Sequence, residues 1–441
     1  MKRSLKYILF ASIIFLSTIA NAQKQRSSSL TLTDVIKLTM ENHPLLKQKE
    51  DELRAAQFRV EQQKSSYLPY VGAEGSYTRI GPIPAFSFGG QTLALAPANN
   101  YNVGLFIHQT VYDFGRRDAQ VDYASSFLNT IKDNKELVKN NLIDQAIKVF
   151  YGILSLEKSI ALKDTQIISL NEHLKITELK IQNGLATDYD VLSTKSKIAQ
   201  IKSEIIDLSD AKTRQEYFLK ELIGNDKNNE ITLDNDFSLP DFVLDADSLL
   251  DIAYSERTEL KLLSDSRKSA ELKKELVSQL NNPVVNVDLG YGLKNGYEPN
   301  IEVLRGNWFA KLSVSVPIFE GYLTENKVNE ASALIDLENE KTQQLRKRIS
   351  TDVLQSESQY SAGLKKITST EEQIMYATNS LERAKIQYEK GAGTNLEVLD
   401  AETTLAGARL QNIQAKFSTI INYYSLMRAI GKLDPESYTG L

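Results

Sequence analysis

The chain has 441 residues, a formal net charge of −5, 25% charged residues, 21 glycines, only 10 prolines and no cysteine. An acidic balance without a basic stripe gives a nucleic-acid partner no electrostatic support. The absence of cysteine excludes disulfides and the lipid-bearing cysteine of a lipoprotein, and the composition suits a helix-rich fold with a few strands.

The first predicted element is an address. Lys2, Arg3 and Lys6 precede an apolar run, Tyr7–Ala20, and a small-residue site, Ala20-Asn21-Ala22. This pattern predicts a secretory signal peptide over residues 1–22, so the mature protein is expected to be exported and unlipidated. The apolar run is shorter than the roughly 20 residues of a membrane-spanning helix, and no later run is longer.

Beyond it the chain repeats itself. Leu30–Leu46 (LTLTDVIKLTMENHPLL) returns as Leu244–Leu260 (LDADSLLDIAYSERTEL), and Pro69, Gly115, Gly184 and Gly224 return as Pro283, Gly321, Gly391 and Gly431. The expected organisation is a first repeat over residues 23–224, a linker over 225–247, a second repeat over 248–431 and a tail over 432–441. A unit that cannot bury its apolar face alone builds a fold by pairing with its copy.

Each copy is read as helix, β-hairpin, long helix, tip and returning helix. The first has strands at Val71–Arg79 and Tyr101–Tyr112 (about 69–80 and 101–112), separated by a Pro/Gly-rich loop, Gly81–Asn100. From Arg116 to Gln182 there is no proline and one glycine, Gly152, and Leu142, Ile143, Ala146, Val149, Phe150 and Ile153 recur at helical spacing. At 1.5 Å per residue such a helix is roughly 100 Å long and needs partner helices along its length. It stops at Asn183–Asp188, and a helix of about Tyr189–Leu222 returns. The second copy has strands at Val285–Lys294 and Trp308–Ile318 (about 283–294 and 308–318). A helix then runs over about Tyr322–Glu389, broken only by Gly363, with a tip at Lys390–Asn395 and a return over about Leu396–Ile430. Glycine just past the last turn and Thr before the next helix supply the stop and the cap.

The strands of the second copy alternate strictly, those of the first more loosely. Val285, Val287, Leu289, Tyr291 and Leu293 oppose Asn286, Asp288, Gly290, Gly292 and Lys294, and Trp308, Ala310, Leu312, Val314, Val316 and Ile318 oppose Phe309, Lys311, Ser313 and Ser315. About ten residues with one apolar and one polar face is the pattern of a transmembrane β-strand. A half-buried strand of a soluble sheet looks the same in any single segment. Four strands cannot close a barrel that holds water, so the membrane reading requires several chains to share one barrel.

Catalytic signals are missing. His43, His108 and His173 lack metal-ligand spacing and read as surface or lumen histidines. Gly290-Tyr291-Gly292 with Gly296 precedes no apolar helix and fits an alternating strand better than a nucleotide loop. With no P-loop and no nucleophile elbow, neither an enzyme nor a bound cofactor or metal is expected. Glu397 and Asp400 stand three apart on one helix face. They read as a solvated acidic face or, if copies assemble around an axis, as stacked carboxylate rings that favour cations.

The duplicated order and the motifs YLPYVG, VYDFG/PIFEG, NGLATDYDVL and GAGTNLEVLDAETTL resemble the TolC-like outer membrane efflux family over about Leu30 to Leu433. The resemblance implies a mainly α protein with a membrane β-barrel part. In a homotrimer, a 12-stranded barrel with four strands per protomer would continue as a long periplasmic α-helical barrel. Loops Gly81–Asn100 and Asn295–Asn307 would face outside, and Asn225–Asp247 with Gly431–Leu441 would belt the tunnel. Glu397 and Asp400 would form the acidic ring at the channel entrance, where Asp is usual, and Asp190 and Tyr388 would be gating contacts. A basic tip residue of some members corresponds to Gly393, which implies that one charged latch is absent. Gly184, Leu185, Thr187, Gly391, Gly393 and Thr394 would meet a periplasmic adaptor, besides stopping and capping helices. The implied role is a passive exit duct for small molecules, coupled through the adaptor to a proton- or ATP-driven inner-membrane transporter; type I protein secretion uses the same duct. A secreted structural coiled coil is the reading of another class, and the alternating strand faces argue against it.

Overall fold

The computed structural model describes residues 29–225, 231–235 and 246–433. The signal peptide expected at 1–22, most of the 225–247 linker and the tail beyond Leu433 lie outside the described residues. The first copy contains α1 (Leu32–Asn42), α2 (Pro44–Lys64), β1 (Tyr70–Arg79), β2 (Ala85–Phe88), β3 (Gln91–Ala94), β4 (Asn99–Tyr112), α3 (Arg116–Gln182) and α4 (Asp188–Leu222). The second contains α5 (Ala246–Glu256), α6 (Thr258–Ser278), β5 (Val284–Lys294), β6 (Arg305–Ser315), α7 (Leu323–Glu389) and α8 (Asn395–Ala429). Both long helices have 67 residues and both returning helices 35. The chain divides into two compact units, one of Gln48–Leu137 with Thr258–Lys347, the other of Met1–Lys47, Val138–Arg257 and Arg348–Leu441. Each draws on both copies.

The first unit is organised by an antiparallel sheet of order β1-β4-β5-β6, so the two hairpins are joined through the β4–β5 pair. Because side chains alternate, the register sorts the sheet into two faces. One carries the rows Val71, Ile107, Leu289, Ala310 and Ala73, Leu105, Tyr291, Trp308. The other carries Tyr70, His108, Asp288, Lys311; Gly72, Phe106, Gly290, Phe309; Glu74, Gly104, Gly292, Asn307; and Ser76, Asn102, Lys294, Arg305. The apolar face is bare: Trp308 is 76% exposed, Leu312 71% and Tyr291 69%.

Two strand expectations are corrected. The last strand is Arg305–Ser315 rather than Trp308–Ile318: Ser315 pairs with Val284, the residue before that is Pro283, and Pro317 has no N–H to offer a ladder. The Gly81–Asn100 loop holds the small β2–β3 hairpin, turned by Gly89 and Gly90, both at positive φ.

The VYDFG motif makes the turn from strand to helix. Phe114 and Gly115 take φ of 54° and 88°, and the buried Asp113 carboxylate accepts from the Arg117 backbone N–H at 3.1 Å and from Arg117 Nε at 2.8 Å. Arg117 also donates to the Thr110 carbonyl and lies 5.0 Å from the Tyr67 ring centroid. Arg116 donates to the Leu280 carbonyl at 2.6 Å.

In the second unit helices pack along narrow stripes. Leu142, Ile143, Ala146, Ile147, Phe150, Ile153 and Leu154 of α3 are buried, which matches the inward positions read from spacing except for the half-buried Val149. A cluster of Leu381, Tyr388, Val398, Ala401, Leu405 and Ala408 joins α7 to α8, and Leu170, Ile198, Ile201 and Leu399 join α3, α4 and α8. Gly363 sits mid-helix because Thr419 of α8 presses there: a Cβ would come within 2.5 Å of its hydroxyl. The start of the described chain pairs with the linker, Leu30 N–H donating to the Thr232 carbonyl at 2.8 Å. No described helix is long and apolar enough to cross a membrane.

Each returning helix closes on its own copy. Gly224 (φ 64°) and Gly431 (φ 78°) end α4 and α8, the first against Asn42 at the end of α1, the second against Glu256 and Arg257 at the end of α5. A Cβ on Gly431 would lie 2.7 Å from the Glu256 carbonyl carbon, whereas Gly391 at the α7 tip (φ 78°) faces open space. Gly391→Ala therefore carries only the left-handed strain, about 1 kcal/mol, and Gly431→Ala adds a backbone clash, about 3 kcal/mol in all. Thermal unfolding of the two variants in detergent checks this; equal losses would refute the close-approach argument.

Candidate functional site

The ends of α3 and α7 and the starts of α4 and α8 form a tip whose local structure follows directly from sequence. Gly184 (φ 71°) donates to the Ile181 carbonyl and Leu185 to that of Lys180; Gly391 and Ala392 do the same to Tyr388 and Gln387. These paired bonds satisfy the last helical carbonyls and turn the chain out. Thr187 and Thr394 then cap α4 and α8 in matching capping boxes. The Asp190 carboxylate accepts from the Thr187 N–H at 2.9 Å and from its hydroxyl at 2.8 Å, and Glu397 accepts from the Thr394 N–H at 2.7 Å. A carboxylate also suits the positive end of a helix dipole. The apolar residues left outside are Leu185 (71% exposed), Tyr189 and Leu192 of one tip and Leu396 of the other.

Behind the tip lies a buried polar network. Asn395, the first residue of α8, receives His173 Nε2 on its side-chain carbonyl at 2.6 Å. An amide oxygen only accepts, so Nε2 carries the proton. Asn395 Nδ2 donates to the Asp190 backbone carbonyl at 3.1 Å and to Ser193 Oγ at 3.0 Å. One side chain thus joins α3, α4 and α8. Burial holds the His173 imidazole below its ordinary value of 6.5, against the raising influence of the Asn395 bond; Lys385 lowers it further, while Glu402 and Asp190 raise it. Tyr388 packs its ring 4.8 Å from that of His173 and donates to Thr177 Oγ1 at 3.2 Å. Burial raises its phenol pKa, which the Thr177 bond lowers and Asp190 raises. Lys180 donates to the Tyr388 backbone carbonyl with its ammonium 4.6 Å from that ring's centroid. One layer further in, Lys385 Nζ pairs with Glu402 at 3.0 Å and donates to Ser169 at 2.6 Å, and Ser169 donates to Glu402.

All ten sequence-derived site residues therefore belong to the tip or its first turns. Within the chain the Asp190 carboxylate accepts from Thr187, the Tyr388 hydroxyl donates to Thr177, and the Asp190 charge raises the Tyr388 phenol pKa. Glu397 and Asp400 are both exposed; Glu397 already serves its capping box, and Asp400 makes no ion pair among the described residues. Gly393 is tightly hemmed in: a Cβ would meet Gln387, Glu397 and the Tyr388 backbone at 3.1 Å. The spacing of His173 reads as that of a surface or lumen histidine; instead it is buried, 3% exposed. Its place on the inward stripe with Leu170 and Thr177 was the available signal; Asn395 had none beyond following the cap. Among the described residues no three His, Asp or Glu are placed to hold a metal ion.

A profile of the outer membrane efflux protein family matches residues 35–225 and 250–432. The outer membrane protein TolC of Salmonella enteritidis is 20% identical over 453 residues, covering 100% of this chain and 88% of the relative. The outer membrane efflux protein BepC of Brucella suis is 18% identical over 451 residues, covering 98% and 91%. Among solved structures, CusC superposes with a TM-score of 0.78 at 16% identity over 91% of this chain and 92% of that one. The Campylobacter jejuni CmeC outer membrane channel does so at 0.78 and 15% over 92% and 88%. Their fold is that of the long helices and four-stranded sheet described above. The chain belongs to the outer membrane efflux protein family, as a TolC-like outer-membrane channel protein and not an enzyme.

Proposed function

We propose that three copies of this chain form one passive exit duct for small molecules, closed in the outer membrane by a barrel of twelve strands and continued into the periplasm by helices. The observation that carries this reading is the sheet: one face apolar and bare, the other polar, and both edge strands, β1 and β6, unpaired among the described residues. Lipid satisfies the first face, water the second, and β1 of a neighbouring copy satisfies β6. Residues 1–22 serve export.

In a trimer Glu397 and Asp400 become two rings of three carboxylates at the entrance, which favour cations. Glu397→Gln with Asp400→Asn removes the charge while keeping a side-chain oxygen for the Thr394 cap. Cation selectivity in planar bilayers is expected to fall; unchanged selectivity would sink the ring assignment.

The tips, with Leu185, Tyr189 and Leu396 exposed on them, suit docking of a periplasmic adaptor that connects the duct to an inner-membrane transporter. Leu185→Cys supplies the molecule's only thiol. Crosslinking from it in living cells is expected to capture an adaptor, with a proton-driven pump if the cargo is drugs or metabolites and an ATP-driven exporter if it is protein. Capture of neither removes the docking role.

Closure at the tip is held by the Asn395 junction in place of the charged latch that Gly393 lacks. Above about pH 6.5 His173 is neutral with the latch made or broken, and pH has no hold on it. Below that, the broken form takes up a proton that the buried form resists, so the latch weakens as pH falls. Open probability is expected to rise between about pH 7 and about pH 5 in the unaltered channel and to stay flat in His173→Gln; an equal rise in both would rule out His173 as the sensor.

A further inference from the structure

The polar face of the sheet carries two phenylalanines that its water-facing role does not require. Phe106 lies across Gly72, where a Cβ would come within 2.6 Å of the ring, and Phe309 lies in the same way across Gly290. Covering a glycine on the neighbouring strand accounts for each ring singly. It does not account for the row beside them. There the cross-strand pair Gly104 and Gly292 leaves bare backbone, and with the two rings it lines a cleft of about 380 Å³.

The rim of that cleft is chemically lopsided. Glu74, Asp288 and Lys311 line it, one negative charge in excess. Lys311 stands opposite Asp288 across β5 and β6, whereas Glu74 makes no ion pair among the described residues. Asn307 also lines the cleft. Ring faces attract cations and stack on flat π-systems, and carboxylates add to the attraction.

We propose that this cleft is a binding site for flat, positively charged aromatic molecules on the wall of the duct. It rests on the reading that the polar face lines a water-filled lumen. Phe106 and Phe309 offer their ring faces beside the ligand, the glycine floor lets it approach the backbone, and Glu74 takes its charge. Three copies place three such sites around one pore, so an occupied site narrows the path.

Block of the full-length channel in planar bilayers by ethidium tests this, with tetraethylammonium as a cation that has no rings. Phe106→Leu with Phe309→Leu keeps the glycines covered and removes the ring faces. The ethidium concentration for half block is expected to rise about tenfold, the size of two lost cation–π contacts, with tetraethylammonium block unchanged. Glu74→Gln, at an exposed position that strains no packing, is expected to weaken ethidium block as well. A channel that ethidium does not block, or ethidium block unmoved in both variants, overturns the site. So does an equal loss for both cations in the phenylalanine variant. A protein that conducts no ions at all would overturn the duct reading itself.

Discussion

The apolar rows of the four-stranded sheet have nothing of their own unit folded over them, and this leaves a demand that the chain cannot meet internally. Trp308, Tyr291, Leu312 and Val103 would each gain by leaving water, while β1 and β6 present edges of unpaired N–H and C=O groups. In water such a sheet is an aggregation template. In an outer membrane both demands are met when strands from further copies close the edges and lipid covers the face. The polar rows opposite, with their glycines and charged pairs, are then the side kept wet.

The helical unit meets a different constraint. Its long helices carry narrow apolar stripes, so their pairing is directed as much by buried polar contacts as by area. The Lys385–Glu402 ion pair adds little net stability, because desolvation offsets its attraction, and the His173–Asn395 junction holds a hydrogen bond rather than an ion pair. They penalise any sliding of one helix along another, since that would leave a buried charge or donor without its partner. Register at the tip is thus specified by groups that a simple hydrophobic count would regard as liabilities. Gly363 under Thr419 acts similarly: a helix interior tolerates the weaker residue so that α7 and α8 can approach closely.

The duplication does not produce two domains. Each returning helix ends against the first helix of its own copy, at Asn42 or at Glu256 and Arg257, yet each copy supplies only one main hairpin, and a lone two-stranded hairpin is marginal. Pairing β4 with β5 across the copies gives a sheet with a continuous apolar face. The compact units therefore cut across the repeats.

Much of this was legible beforehand because it is local. Period-two alternation in Val285–Lys294, the proline-free run Arg116–Gln182 and the Gly–Thr tips each encode their element through dihedral preference and nearest-neighbour hydrogen bonds. Errors came where a partner decides. The extent of β6 depends on which residue of β5 lies opposite, and the β2–β3 hairpin was hidden in a loop rich in Pro and Gly. His173 reads as any lone histidine until the rotation of α3 turns it toward Asn395. Residue order and spacing alone encode the long helices, their caps and the two-faced strands. Which buried groups meet at the tip, and that Phe106 and Phe309 border one cleft, is settled in three dimensions, because helix rotation and cross-strand register are set by contacts hundreds of residues apart.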